Sequence, residues 1–197
     1  MTMGRFIRHS GAAAALRRFA ADCRGVAAVE FALILPILVL LAIGCFEVPR
    51  FVLVFQKLAR TASTVADLTA QADEPLTTNQ MADIFTAGQI TMQPYDVVAS
   101  GRIYISSINN PSGSGVIMTW QKNNGGAVTT ASKLGTEGGN PSGNLPAALL
   151  PASNEEVLAA EVYYNYTPVI KSIIYNGSQL YMIAYTRPRN HNLLTKP

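Results

Sequence analysis

Phe31 opens the run FALILPILVLLAIGCF, which ends at Phe46, and every residue in it is apolar, Pro or Gly. Val26, Ala27, Ala28 and Val29 extend it toward the N-terminus, with Glu30 the single interruption. At about 1.5 Å per residue, a helix over residues 26–46 reaches roughly 30 Å, about the hydrocarbon thickness of a bilayer. A secretory signal has a shorter core, about 7–15 residues, and a small-residue cleavage site behind it. Here Glu47-Val48-Pro49-Arg50-Phe51 follows, with no Ala-x-Ala pattern. The run is therefore expected to stay in the membrane as a single span. Pro36 removes one backbone donor inside it, which membrane helices tolerate.

Charge sets the expected orientation. Arg5, Arg8, Arg17, Arg18 and Arg24 precede the run, against one acid, Asp22, so this stretch carries +4 of a net +3 and leaves about −1 for the rest. Basic residues stay on the cytoplasmic side, so everything after Phe46 is expected to be exported. The expected setting is a bacterial-type inner membrane with a periplasmic C-terminal domain. A remainder near −1 holds no residues for a basic nucleic-acid groove.

Cysteine and histidine usage narrows the chemistry further. Cys23 and Cys45 flank and enter the apolar run, and no pair lies downstream, so no disulfide framework is expected. Ala42-Ile43-Gly44-Cys45 resembles a lipoprotein processing box, but a lipidated cysteine is followed by a polar tether. Here Phe46, Val48, Phe51, Val52, Leu53, Val54 and Phe55 follow, which argues against lipidation. His9 and His191 lie near opposite ends, a poor start for a metal cluster or a histidine-dependent triad. No metal and no cofactor is expected.

Helical periodicity continues past the apolar run. Phe51, Phe55, Leu58, Ala62, Val65 and Thr69 recur in steps of four and three, with Gln56, Lys57, Arg60, Ser63, Thr64 and Asp67 on other faces. One long helix over residues 26–71 is predicted, ended near Pro75. A second helix fits residues 77–92, with Ile84, Phe85 and Ile90 as apolar contacts and Pro94 as its stop. Strands are predicted over residues 102–108, 116–121, 157–166 and 180–187. Their alternation groups Ile103 with Ile105, Val116 with Met118 and Trp120, and Leu158 with Ala160, Val162, Tyr164 and Tyr166. Gly-, Asn- and Pro-rich stretches at 109–115, 123–126 and 135–146 separate them. The expected fold is α+β, a long membrane-spanning helix continuing into a domain with a short helix and a small antiparallel β-sheet.

Gly25 is followed by four small or apolar residues and then by Glu30 and Phe31. An acid inside an apolar run is expensive, up to roughly 2.5–3.5 kcal/mol at the bilayer centre, and so is a functional candidate. Snorkelling to the nearby interface is the plain alternative. The spacing from Gly25 to Glu30 resembles a type IV prepilin processing site. The fuller run RGVAAVEFALILPILVLL resembles the TadE-like minor pilins, or pseudopilins, of the tight-adherence (Tad) pilus. The strand EVYYNYTP and the ending AYTRPR are also similar to that family. The family's Glu-x-Gly-Arg is replaced here by Glu47-Val48-Pro49-Arg50, a departure that bears on helix geometry at that point.

The resemblance implies a division of the chain. Residues 1–25 would be a basic leader, removed between Gly25 and Val26 by a prepilin peptidase. Residues 26–46 would be the transmembrane helix, 47–71 its extension, 72–187 the exported domain and 188–197 a polar tail. Glu30 and Phe31 would serve assembly, with the acid pairing the new ammonium of Val26 on a neighbouring subunit. The implied partners are the inner membrane, the prepilin peptidase, the major pilin, other minor pilins and the inner-membrane assembly platform. Two other functions compete. A membrane-anchored periplasmic binding module unrelated to pili would leave Glu30 incidental, and cleavage after Gly25 separates the two. An exported enzyme would draw on Asp67, Asp73, Glu74, Asp83 and Asp96, but these scatter along predicted helices as solvated faces do. Ser106 and Ser107 lack a partner histidine. Tyr163, Tyr164 and Tyr166 read as core and rim packing. No enzymatic activity is expected.

Overall fold

The structure is a computed structural model that describes residues 17–18, 25–72, 75–113, 115–141, 143–168 and 177–189. Most of the expected leader, Cys23, Asp73, Glu74, both histidines and the tail beyond Arg189 lie outside the described residues. The chain divides into two compact units, Met1–Phe46 and Glu47–Pro197.

Helix α1 runs unbroken over Val26–Gln71, through both Pro36 and Pro49. Its first part belongs to the first unit, where residues 26–42 are exposed throughout. No described element covers them. In the second unit α1 buries Val54, Leu58, Thr61, Ala62, Val65, Ala66, Thr69 and Ala70. This corrects the start of the expected stripe. Phe51 is 36% and Phe55 43% exposed, while Val54 is fully buried. Both Val54 and Phe55 lie one turn before Leu58, and periodicity alone does not choose between them.

Helix α2, Thr78–Met92, starts where a capping box satisfies its first amides. The Thr77 hydroxyl accepts from the Gln80 amide at 3.2 Å, and the Gln80 side chain accepts from the Thr77 amide at 2.9 Å. A short helix α3, Val97–Ser100, is capped by Asp96, whose carboxylate accepts from Val98 and Ala99 at 2.8 and 2.9 Å. Nothing in the apolar pattern announces α3.

Strands β1 (Gly101–Asn109), β2 (Ile117–Asn123), β3 (Glu156–Tyr166) and β4 (Ser178–Thr186) form one antiparallel sheet in the order β2-β1-β3-β4. One face carries Ile103, Ile105, Leu158, Ala160, Val162 and Trp120, which pack with Leu58, Ala62 and Val65 of α1 and with Ile84, Phe85 and Met92 of α2. Met118 is not with Trp120 as the alternation predicts. The register shifts between Ser107 and Ile108, whose partners are Trp120 and Met118. Thr119 is the extra residue of this bulge, and the slip turns Met118 toward a separate cluster with Ile108, Leu134, Leu145 and Ala159.

The Gly-rich chain between β2 and β3 does more than separate strands. Its residues Val128, Leu134 and Leu145 are buried and cover the second face of the sheet. Gly138 donates to the Met118 carbonyl at 2.8 Å and Met118 donates back to Gly139 at 2.9 Å, which closes the β2 edge.

Candidate functional site

The four residues marked for processing and assembly lie at the start of α1. Gly25 immediately precedes the helix and is exposed. A side chain built there would meet nothing within 4 Å among the described residues. Val26 is 54% and Phe31 58% exposed, and Glu30 is exposed as well. Val26 and Glu30 are four residues apart, one helical turn, and so share a face. Gly25, Val26 and Glu30 are thus all exposed among the described residues.

From Val26 onward α1 is long and apolar enough to cross a membrane, and the window that qualifies is wholly unburied. A core helix of a water-soluble protein is mostly buried, so this helix fits a single-pass anchor. Cys45 is a free, exposed thiol on it.

The second unit opens with a polar clasp on β3. Tyr166 donates its hydroxyl to the Glu47 carboxylate. The Arg50 guanidinium lies 5.7 Å from the centre of the same ring. Phe51 meets that ring edge-on at 5.3 Å between centroids. Tyr166 is 4% exposed, and burial, followed by its bond to the Glu47 carboxylate, pushes its pKa up to about 12. Beside it Tyr95 packs edge-on against Tyr164 at 6.2 Å. Burial raises the Tyr164 phenol too, and the Arg50 charge partly offsets it. Thus Glu47 and Arg50, the charges that end the apolar run, are folded onto Tyr166, which lies 119 residues from Glu47. Pro49 between them leaves the helix intact.

A second polar cluster was not legible in the sequence. Glu161 is fully buried on β3. Its carboxylate accepts from the Ser132 hydroxyl, from the Lys133 amide at 3.0 Å, from Tyr181 at 3.0 Å and from Tyr163 at 3.2 Å. Lys133 Nζ stands 3.8 Å from the centre of the Tyr181 ring. The cluster ties the chain after β2 to the sheet. Alternation in β3 puts Glu161 on the face opposite Ala160 and Val162, where an acid reads as solvent-facing, and only the folded chain after β2 buries it.

Of the acids weighed for catalysis, the described ones, Asp67, Asp83 and Asp96, have structural roles or open positions. Asp67 pairs with Arg189 and accepts from Gln71 at 2.8 Å. Asp96 caps α3, and Asp83 is exposed on α2. Ser106 and Ser107 are buried in β1, where Ser107 donates to Glu156 and Ser106 accepts from Gln121 at 3.0 Å. Tyr163, Tyr164 and Tyr166 are all buried in the domain. Among the described residues no group of three or more His, Cys, Asp or Glu side chains converges as metal ligands would.

The profile of the TadE-like protein family fits residues 25–67. No curated protein and no solved structure matches the chain. The matched stretch begins at Gly25, contains the whole apolar run and the Glu47–Arg50 pair, and ends on the buried stripe of α1. The chain therefore carries a TadE-like segment, the family its N-terminal motif resembles, and this associates it with the Tad pilus machinery.

Proposed function

We propose that the protein is a minor pilin or pseudopilin of the Tad pilus, with a structural and non-catalytic role in pilus assembly, adhesion and surface colonisation. A prepilin peptidase of the inner membrane cuts after Gly25 on the cytoplasmic side. Removal of the arginine-rich leader frees an ammonium on Val26, with an ordinary pKa of about 8. That ammonium and Glu30 then set register against the major pilin, other minor pilins and the assembly platform. The observation that carries this reading is the TadE-like match starting at Gly25, with Glu30 at the fifth position after it. The openness of residues 25–31 supports it.

Mass spectrometry of the mature protein from piliated cells tests it. The N-terminus should be Val26. Replacing Gly25 by a bulky residue should leave the full-length chain accumulating in the membrane, and since nothing packs on Gly25, the domain should fold normally. A mature chain that keeps Met1 or begins at Cys45 would move the assignment to a membrane-anchored binding module outside any pilus.

A further inference from the structure

β4 is the outer strand of the sheet, and among the described residues it is paired on one side only, by β3. In an antiparallel ladder one residue turns both its N–H and its C=O to one neighbour, and the next residue turns them to the other side. The Asn110 amide, just past β1, donates to the Glu155 carbonyl at 3.3 Å, on the β3 side. The carbonyls of Gly101 and Ile103 accept from Val128 and Asn124 at 3.2 and 3.1 Å, on the β2 side. Even residues of β1 therefore face β3 and odd ones face β2. The register carries this alternation outward, so that Ala160 and Val162 of β3 face Ala184 and Met182 of β4. Gln179, Tyr181, Ile183 and Tyr185 then turn their N–H and C=O groups away from the sheet.

Nothing within β4 blunts this edge. Ser178–Thr186 contains no charged residue and no proline, and its pairing with β3 runs without a bulge. Proteins guard open edges with such devices, because an open edge pairs readily with another chain. The opposite edge of the same sheet is guarded, since Gly138 and Gly139 close β2 at Met118. Residues 181–185 are half-buried and apolar on both faces. Met182 and Ala184 pack toward α1 and α2, and Ile183 and Tyr185 pack toward Ile108 and Met118. On the α1 side a hollow lies between helix and strand, with Ser63, Ala66, Asp67 and Ala184 in its wall. Small residues leave room there for alternate side chains of an added strand. Asp67 is already engaged by Arg189, so the hollow does not call for a cation.

We propose that β4 receives a further strand, an extended and uncharged segment of a different polypeptide. Main-chain bonds to residues 179, 181, 183 and 185 hold it, and the hollow beside Ala184 takes one of its side chains. A second copy of this chain fits neither way. Two β4 strands paired antiparallel share a twofold axis and close on themselves, which leaves no edge for growth. Head-to-tail contact between copies needs the β2 edge, which is closed at Met118. This exclusion of a second copy rests on the proposed role in a growing pilus.

Hydrogen exchange and cross-linking test it on the full chain. In the purified protein, amides 179, 181, 183 and 185 should exchange fast and amides 180, 182 and 184 slowly. In piliated cells, a diazirine amino acid placed at 179, 183 or 185 should cross-link to one segment of one other polypeptide. The residues hit should be spaced by four and two, as the probes are. Ile183→Pro removes an outward N–H and no bond to β3, a change that an edge strand tolerates. It should lower cross-linking from 179 and 185 several-fold without lowering the thermal melt, whereas Ile183→Ala, which keeps the amide, should leave the yield unchanged. If Ile183→Pro melts early, Tyr185→Pro puts the same question at the next outward amide. Slow exchange at all of these amides, cross-links onto this chain's own residues, or cross-links scattered over many proteins would each overturn the proposal. Spaced cross-links from a chain that keeps Met1 would sink the pilin role alone, and scattered ones from a chain that begins at Val26 would sink the added strand alone.

Discussion

Glu30 is the one acid in the apolar half of α1, and it is exposed one turn after Val26. A carboxylate there costs insertion energy, up to about 2.5–3.5 kcal/mol at the membrane centre, and makes no contribution to the packed domain. Its purpose in the proposed function is register, since the desolvation of a buried pair offsets most of its attraction. Glu30→Gln should insert, be cut after Gly25 and fold, yet fail to join pilus partners, as read by co-purification and pilus counts on cells. Normal piliation would reduce Glu30 to a tolerated interfacial acid. Gly101 is a residue of the opposite kind, with its reason wholly inside the fold. A Cβ there would press on the Tyr163 carbonyl and lie 2.8 Å from a Val97 methyl. Gly101→Ala should cost about 1–3 kcal/mol in denaturant titrations, since the nearest atom is a backbone carbonyl that cannot swing aside.

At the scale of elements, α1 carries two patterns in one helix. Through the first unit it is apolar on all sides, as lipid allows, and in the second it is apolar on a stripe. The stripe is what the sheet needs. Leu58 is fully buried against it, so Leu58→Ala should destabilise the domain by about 2–5 kcal/mol. Phe55 is a larger residue one turn earlier but outside the core, so Phe55→Ala should shift folding stability by less than about 0.5 kcal/mol. Equal losses in the two variants, measured by thermal melts in one detergent, would show that the stripe is misplaced. The bulge at Thr119 works in the same way on β2, where one inserted residue sends Met118 and Trp120 to different clusters.

For the molecule as a whole, the tyrosines set the response to alkali. Tyr163 and Tyr181 are both raised well above the ordinary phenol value, first by burial and next by the charge of Glu161. Tyr166 is raised to about 12. The folded state therefore keeps protons that the unfolded chain releases near pH 10. The stability tied to these groups is complete below about pH 10 and is lost as pH climbs through the raised values. Phenolate absorbance should titrate late in the folded protein, and the denaturation midpoint should fall steeply above about pH 10. Tyr181→Phe should flatten that fall, because it removes one proton-retaining group. An alkaline limb unchanged in slope would mean that Tyr181 titrates normally.

The sequence by itself determined the anchor, the limits of α1 and α2, and four strands whose ends moved by at most two residues at most termini. Each of these is a local property. A run long enough for a bilayer, a period of 3.6 or 2, and a cap or a proline at the end can all be read within a few turns of chain. The proposed positions Gly25, Val26, Glu30 and Phe31 are a local motif of the same kind. Only the tertiary structure decided the order β2-β1-β3-β4, the choice of Val54 over Phe55, the buried set around Glu161 and the clasp of Glu47 and Arg50 on Tyr166. These pairings join residues tens to over a hundred positions apart. Which partner a side chain meets at that range depends on how the second face of the sheet is covered and where a bulge shifts the register, and neither leaves a periodic trace in the chain.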